Sequence, residues 1–132
     1  MKRNVKFYWL DRRTKDEILA LNSAQLKTLQ RSISQIESNP ELLEGRCSFT
    51  SLVKSDVKEL RELKKRSKGG YRVFFSLLPD SQTAVLIGKS PDKSSSEMSP
   101  REVERWIELS KKVCSGKIGY SRTRFNSKLA HA

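Results

Sequence analysis

Most of the residues able to do chemistry crowd into one stretch, residues 58–93, KELRELKKRSKGGYRVFFSLLPDSQTAVLIGKSPDK. Arg61 and Arg72 are candidates to fork onto a phosphate, because a guanidinium presents a planar set of donors that matches paired anionic oxygens. Lys89 and Lys93 follow at and just after an apolar run and could add charge to the same anion. Lys58, Lys64, Lys65, Arg66 and Lys68 form a basic cluster of the kind that contacts a nucleic-acid backbone, or else a solvated face. Phe74 could stack on a base, or simply pack against a helix. For Arg72 the structural alternative is an ion pair with Glu59 or Glu62 across a sheet, and for Arg61 a bond to an edge carboxylate.

Other chemistries lack their residues. The single histidine, His131, lies next to the end of the sequence, so one chain holds no histidine pair. Cys47 and Cys114 are far apart and form no metal-ligand spacing, so no metal and no cofactor is expected. Two isolated cysteines read as reduced thiols, which suits a cytoplasmic protein. The apolar run near the start, VKFYWL, is broken by Lys6 and ended by Asp11, too short for a signal segment or a membrane span.

The chain has 132 residues, a formal net charge of +12, 36% hydrophobic and 8% aromatic residues. This supports one modest core, and the charge selects nucleic acid, the ribosome or an acidic protein as partner.

The elements that position these residues follow from pattern. VKFYWL reads as a strand. Thr14 and Glu17 have capping-box spacing ahead of Ile18, Leu19 and Leu21, which make a short helix. Asn22-Ser23 restarts a second helix, with Leu26, Leu29, Ile33 and Ile36 on one face until Asn39-Pro40 stops it. Residues 41–56 read as a connector. DVKELREL, YRVFFSLL and TAVLIGK read as three strands of an antiparallel meander, the last covered on both faces. Alternation in YRVFFSLL puts Tyr71, Val73, Phe75 and Leu77 on one face and Arg72, Phe74 and Ser76 on the other. Ser99-Pro100-Arg101-Glu102 opens a last helix. Residues 1–114 are the expected domain. Residues 115–132, with no acidic residue, read as a loosely ordered basic extension whose deletion should leave the domain folded. The fold class is α+β, with helices packed mainly on one face of one sheet.

This order, with KELRELKK before GGYRVFF and LIGKSPDK before SPREVERW, resembles the RelE/ParE superfamily of bacterial toxins, most of all its HigB and phage-derived Gp49-like branch. ELR at 59–61, YRVFF at 71–75 and GKSPDKSSSEMSPREV at 88–103 carry the match, which covers residues 5–110. The resemblance implies a small RelE-like, microbial-ribonuclease-like antiparallel sheet, with two N-terminal helices on one face and a C-terminal helix. It implies a toxin of a toxin–antitoxin pair, held inactive by a cognate antitoxin, that cuts mRNA on translating ribosomes or poisons gyrase. Where some members carry two lysines on the strand before the glycine turn, this chain has Val57 and Glu59. Where some carry a tyrosine near the last helix, none occurs here between Tyr71 and Tyr120.

Metal-free RNA cleavage requires removal of the 2′-hydroxyl proton, stabilisation of the pentavalent phosphate and protonation of the 5′-oxygen. Without a histidine pair, arginines would hold the phosphate and a lysine or tyrosine would carry the proton. A lysine does so only where neighbouring cations lower its pKa. Arg72, Arg61, Lys93 and Lys89 are therefore the catalytic candidates, and Lys58, Lys64, Lys65, Arg66, Lys68 and Phe74 the RNA-binding ones. Two other functions stay open: a non-catalytic toxin of this fold that binds gyrase or another protein, and a basic RNA-binding module without cleavage.

Overall fold

The computed structural model describes residues 4–45, 47–65, 70–90 and 98–125. In chain order they form strand β1 (Lys6–Trp9), helices α1 (Arg12–Leu19) and α2 (Ser23–Ser38), and a 3-10 turn at Pro40–Leu43. Then come strands β2 (Thr50–Leu52), β3 (Leu60–Lys65), β4 (Tyr71–Leu77) and β5 (Thr83–Lys89), and helix α3 (Pro100–Cys114). The strands make one sheet in the order β1-β5-β4-β3-β2. The expected meander β3-β4-β5 is antiparallel throughout, and β1 adds to β5 in parallel. The short edge strand β2 lies inside the stretch expected to be a connector. Three residues carry too little alternation to stand out.

Helix starts are local. Asp11, not Thr14, caps α1 by accepting from the Thr14 amide at 2.8 Å, while Glu17 pairs instead with Arg13. Asn22 and Gln25 form a reciprocal capping box on α2. Ser99 caps α3 through the Glu102 amide, but the Glu102 carboxylate turns away and accepts from Ser90 Oγ at 3.0 Å.

Both faces of the sheet are covered, so the expectation of helices mainly on one face holds only for α1 and α2. Val73 and Phe75 pack on that side with Ile18, Leu29, Ile33 and Ile36. The other side carries α3, whose Val113 packs with Leu60, Phe74, Val85 and Ile87 of the sheet. The apolar run of β5 is thus buried on both faces, as its composition implies. Under α3, Ser76 and Ser110 satisfy each other at 2.7 Å.

At Gly88 the Trp106 ring of α3 lies against the backbone of β5. A Cβ there would lie 2.6 Å from the Trp106 ring, and its φ of +155° is strained for any side chain. Gly88→Ala is expected to cost about 1–3 kcal/mol through overpacking. Chemical denaturation checks this; a midpoint equal to wild type would show that Trp106 shifts freely.

Residues 115–125 are not a loose extension. Phe125 is 3% exposed, within the core and 5.3 Å from the Trp9 ring. Its amide bonds to the Phe7 carbonyl, the Trp9 amide to Thr123, and Tyr8 bridges to Arg124. Tyr120 packs on Tyr8 at 5.6 Å. Sparse apolar residues among many cations hid this return, because net charge says little about where two aromatics settle. Residues 126–132, including His131, lie outside the described residues.

Glu37 ties this segment to α2. It accepts from the Phe7 amide at 2.9 Å and pairs with Arg124 at 3.7 Å. Burial raises its pKa above the ordinary 4.5 despite the lowering by Phe7, Arg124 and Lys6. A raised carboxylate contributes stability that is fully present below its unfolded pKa and lost as pH rises through the folded value. The stability of wild type relative to Glu37→Gln is therefore expected to grow as pH falls from about 7 to about 4. A difference constant over that range, in urea titrations of both proteins, would contradict the assignment.

Candidate nucleic-acid interface

The register of β3 and β4 decides which cations meet. Lys64 stands directly opposite Arg72, and Glu62 opposite Phe74. Alternation puts all four on the α3 face. Two like charges directly opposite repel, so the pair needs an anion. Glu62 supplies it. Arg72 Nε lies 3.5 Å from Glu62 Oε2, and Lys64 Nζ 3.3 Å from Oε1. Ser51 Oγ of β2 donates to the same Oε1 at 3.3 Å. All three charged side chains are largely withdrawn from water, 14% exposed for the cations and 8% for Glu62. Among the described residues two cations stand on one carboxylate, and in a site of lowered dielectric that balance attracts an anion more strongly than an exposed lysine does.

Among the described residues Arg72 of this cluster lies on β4 ahead of the stretch that α3 contacts. Helix α3 runs beside β4: Trp106 covers Phe74, Ser110 meets Ser76, and Cys114 reaches the Leu77 carbonyl. Arg72 precedes that contact, and its carbonyl accepts from the Ser90 amide after β5.

The other candidates are distributed differently. Arg61 is on the α1–α2 face, opposite Phe75. Its guanidinium bonds the Leu43 carbonyl through Nη1 and the Lys58 carbonyl through Nε, tying the 3-10 turn and the approach to β3 together. It does not meet Arg72. Lys65 shares the face of Arg61, not of Lys64, and Lys58 is exposed ahead of β3. Lys89 ends β5 opposite Val73 and lines a groove between α1 and α3. Phe74 does not offer a stacking face to RNA. It is 0% exposed and stacked on Trp106 at 4.4 Å, the packing alternative. Arg66, Lys68 and Lys93 lie outside the described residues.

Tyrosine and cysteine do not complete the site. Tyr71 is buried on the α1–α2 face, where desolvation raises its pKa. Tyr120 belongs to the opposite end of the molecule, beside Leu78 and Val113 and five or more residues along β4 from Arg72, roughly 16 Å. Burial and then Glu59 raise the Cys114 thiol, so it is a poor nucleophile. Among the described residues no group of three or more His, Cys, Asp or Glu is placed to hold a metal, and no helix is long and apolar enough to cross a membrane.

The sequence reading missed the joint role of Ser51, Glu62 and Lys64. Glu62 was legible only as one of two possible partners for Arg72, because the choice depends on the register of the hairpin.

A solved structure of an E. coli RelE toxin double mutant in the free state superposes on this chain. The TM-score is 0.52 at 17% identity, over 83% of this chain and 97% of that one. The chain has the RelE toxin fold. A second RelE structure, of the mutant with an antitoxin RelB peptide, aligns at a TM-score of 0.47 and 18% identity, over 86% of this chain and 99% of that one. No family model and no curated protein matches the sequence. In this RelE-like chain the two N-terminal helices and the C-terminal helix are as the resemblance implied, the sheet gains the edge strand β2 and a parallel β1, and the Arg72–Lys64–Glu62 cluster lies on the side of α3.

Proposed function

We propose that the chain is the toxin of a toxin–antitoxin pair and an endoribonuclease that cuts mRNA on translating ribosomes, without a metal. The observation that carries this is the cross-strand pair Arg72 and Lys64, joined through Glu62 on the α3 face of the sheet. In the cut, the 2′-oxygen attacks the adjacent phosphorus and the bond to the 5′-oxygen breaks. A 2′,3′-cyclic phosphate and a 5′-hydroxyl result. The Arg72 fork neutralises the charge that builds on the phosphate, and the Lys64 ammonium donates to the departing 5′-oxygen. The 2′-hydroxyl proton passes to solvent or to a group of the ribosome–mRNA complex. Glu62 keeps both cations in place. Lys89 adds positive charge at the end of β5, and Arg61 supports β3 from behind. The fold is that of a toxin, and such a toxin acts in the cytoplasm and takes an antitoxin as its partner.

Glu62 also favours a second reading, in which the face binds RNA or a protein such as gyrase without cutting. Its carboxylate already occupies part of both cations. Induced expression in a bacterium with mapping of mRNA 5′ ends separates the two. Growth arrest with new ends inside coding sequence is expected; arrest without new ends would point to a protein target.

A further inference from the structure

A groove beside α3 is left unused by the cluster. It lies between α1 and α3, past the end of β1, with a volume of about 770 Å³. Small-ligand sites span roughly 300–1,000 Å³, so one nucleotide fits. Leu10, Ile87, Trp106 and Leu109 supply an apolar wall. Lys89, Arg101 and Arg105 supply the charge; Arg101 and Arg105 are four residues apart and share one face of α3.

The acids of the groove are already engaged. Asp11 caps α1, Glu17 pairs with Arg13, and Glu102 accepts from Ser90. Lys89, Arg101 and Arg105 form no ion pair among the described residues. Arg13, Lys89, Arg101 and Arg105 outnumber Asp11, Glu17 and Glu102, so the groove is net positive beside an indole wall. That combination suits single-stranded nucleic acid, whose phosphates track the cations while a base lies against an aromatic.

The groove is also next to the cluster. Lys89 is paired with Val73, one residue after Arg72, and the Ser90 amide donates to the Arg72 carbonyl. Neighbouring strands are about 4.8 Å apart, so the β5 backbone at the mouth of the groove is one strand from Arg72, with Lys89 itself extending from the face of Val73. An RNA strand gripped at Arg72 and Lys64 can continue past the start of α3 into it.

We infer that the α1–α3 groove is a binding subsite for single-stranded RNA flanking the cut, with Arg101 and Arg105 as its phosphate contacts and Lys89 at its mouth. This rests on the proposed ribonuclease reading for its position, but not for its test.

The probe is a fluorescein-labelled single-stranded RNA oligonucleotide made uncleavable by 2′-O-methyl groups. Its anisotropy is followed with the full chain over a salt series, for wild type and for the double variant Arg101→Ala/Arg105→Ala. Both arginines are exposed, so the double variant should fold as wild type does, checked by its melting temperature. The expected result is at least about tenfold weaker binding, with the salt slope reduced by about 1.4, two single-strand phosphate contacts at about 0.7 each. Unchanged affinity and slope would overturn the inference. So would unchanged RNA binding with loss of a glutamate-rich peptide that wild type binds, since the groove would then take an acidic protein. If the RNA result is as expected but wild type never cuts mRNA, the ribonuclease reading fails and the subsite stands.

Discussion

Arg72→Ala is expected to accumulate to wild-type abundance and to leave bacterial growth undisturbed on induction. The loss should be about 10²–10³-fold in cleavage rate or greater, the usual effect of deleting one preorganised donor to a developing anion. The risk is structural, because Glu62 is 8% exposed and loses one of its two cations. Breaking a buried pair outright costs about 3–5 kcal/mol. Here Lys64 and Ser51 remain on Glu62, so the cost should be smaller. Arg72→Ala/Glu62→Gln removes the stranded charge and should recover melting temperature without recovering activity. Arg72→Lys keeps the charge and loses the fork, and should fall between wild type and Arg72→Ala. Full growth arrest by a folded Arg72→Ala protein would remove this cluster from the mechanism.

Phe125→Ala is the largest expected effect on stability. The ring is 3% exposed and packs on Trp9, the largest fully buried side chain. Removing a buried phenylalanine costs about 3–5 kcal/mol, against a total of about 5–15 kcal/mol for a small domain. Truncation after Cys114 removes Ile118 and Tyr120 as well, together with the amides that pair with β1. It should yield an aggregated or molten chain. A truncated protein with a wild-type melting temperature would restore the picture of a detachable tail.

These two sites differ in how far they could be read from sequence. The face of Arg72 was legible, since in a single strand Arg72, Phe74 and Ser76 must share one side. So were both helical stripes and the start of α3 at Ser99-Pro100. What Arg72 meets was not legible. In LRELKK, Arg61 and Lys64 are three residues apart and must face opposite ways. Which of them joins Arg72 depends on the hairpin register, and a one-residue slip would exchange them. Composition between Lys65 and Tyr71 does not settle that register. The return of residues 118–125 to β1 was hidden for another reason. It uses backbone bonds and a few separated aromatics, with no period to detect. Phe74 shows the limit of a residue-type argument. An aromatic beside an arginine suits RNA stacking, but Trp106, 32 positions later, takes its ring face.

The central claim is that Arg72 and Lys64 form a phosphate site that cuts RNA. The most direct measurement incubates purified protein with translating ribosomes carrying a defined, end-labelled mRNA, in the presence of a chelator. Wild type, Arg72→Ala, Lys64→Ala and Arg101→Ala/Arg105→Ala are compared. Discrete mRNA fragments ending in cyclic phosphate are expected with wild type and, at higher protein concentration, with the groove variant. None is expected with Arg72→Ala, and few with Lys64→Ala. Intact mRNA with wild type, or equal cutting by Arg72→Ala, would contradict the claim.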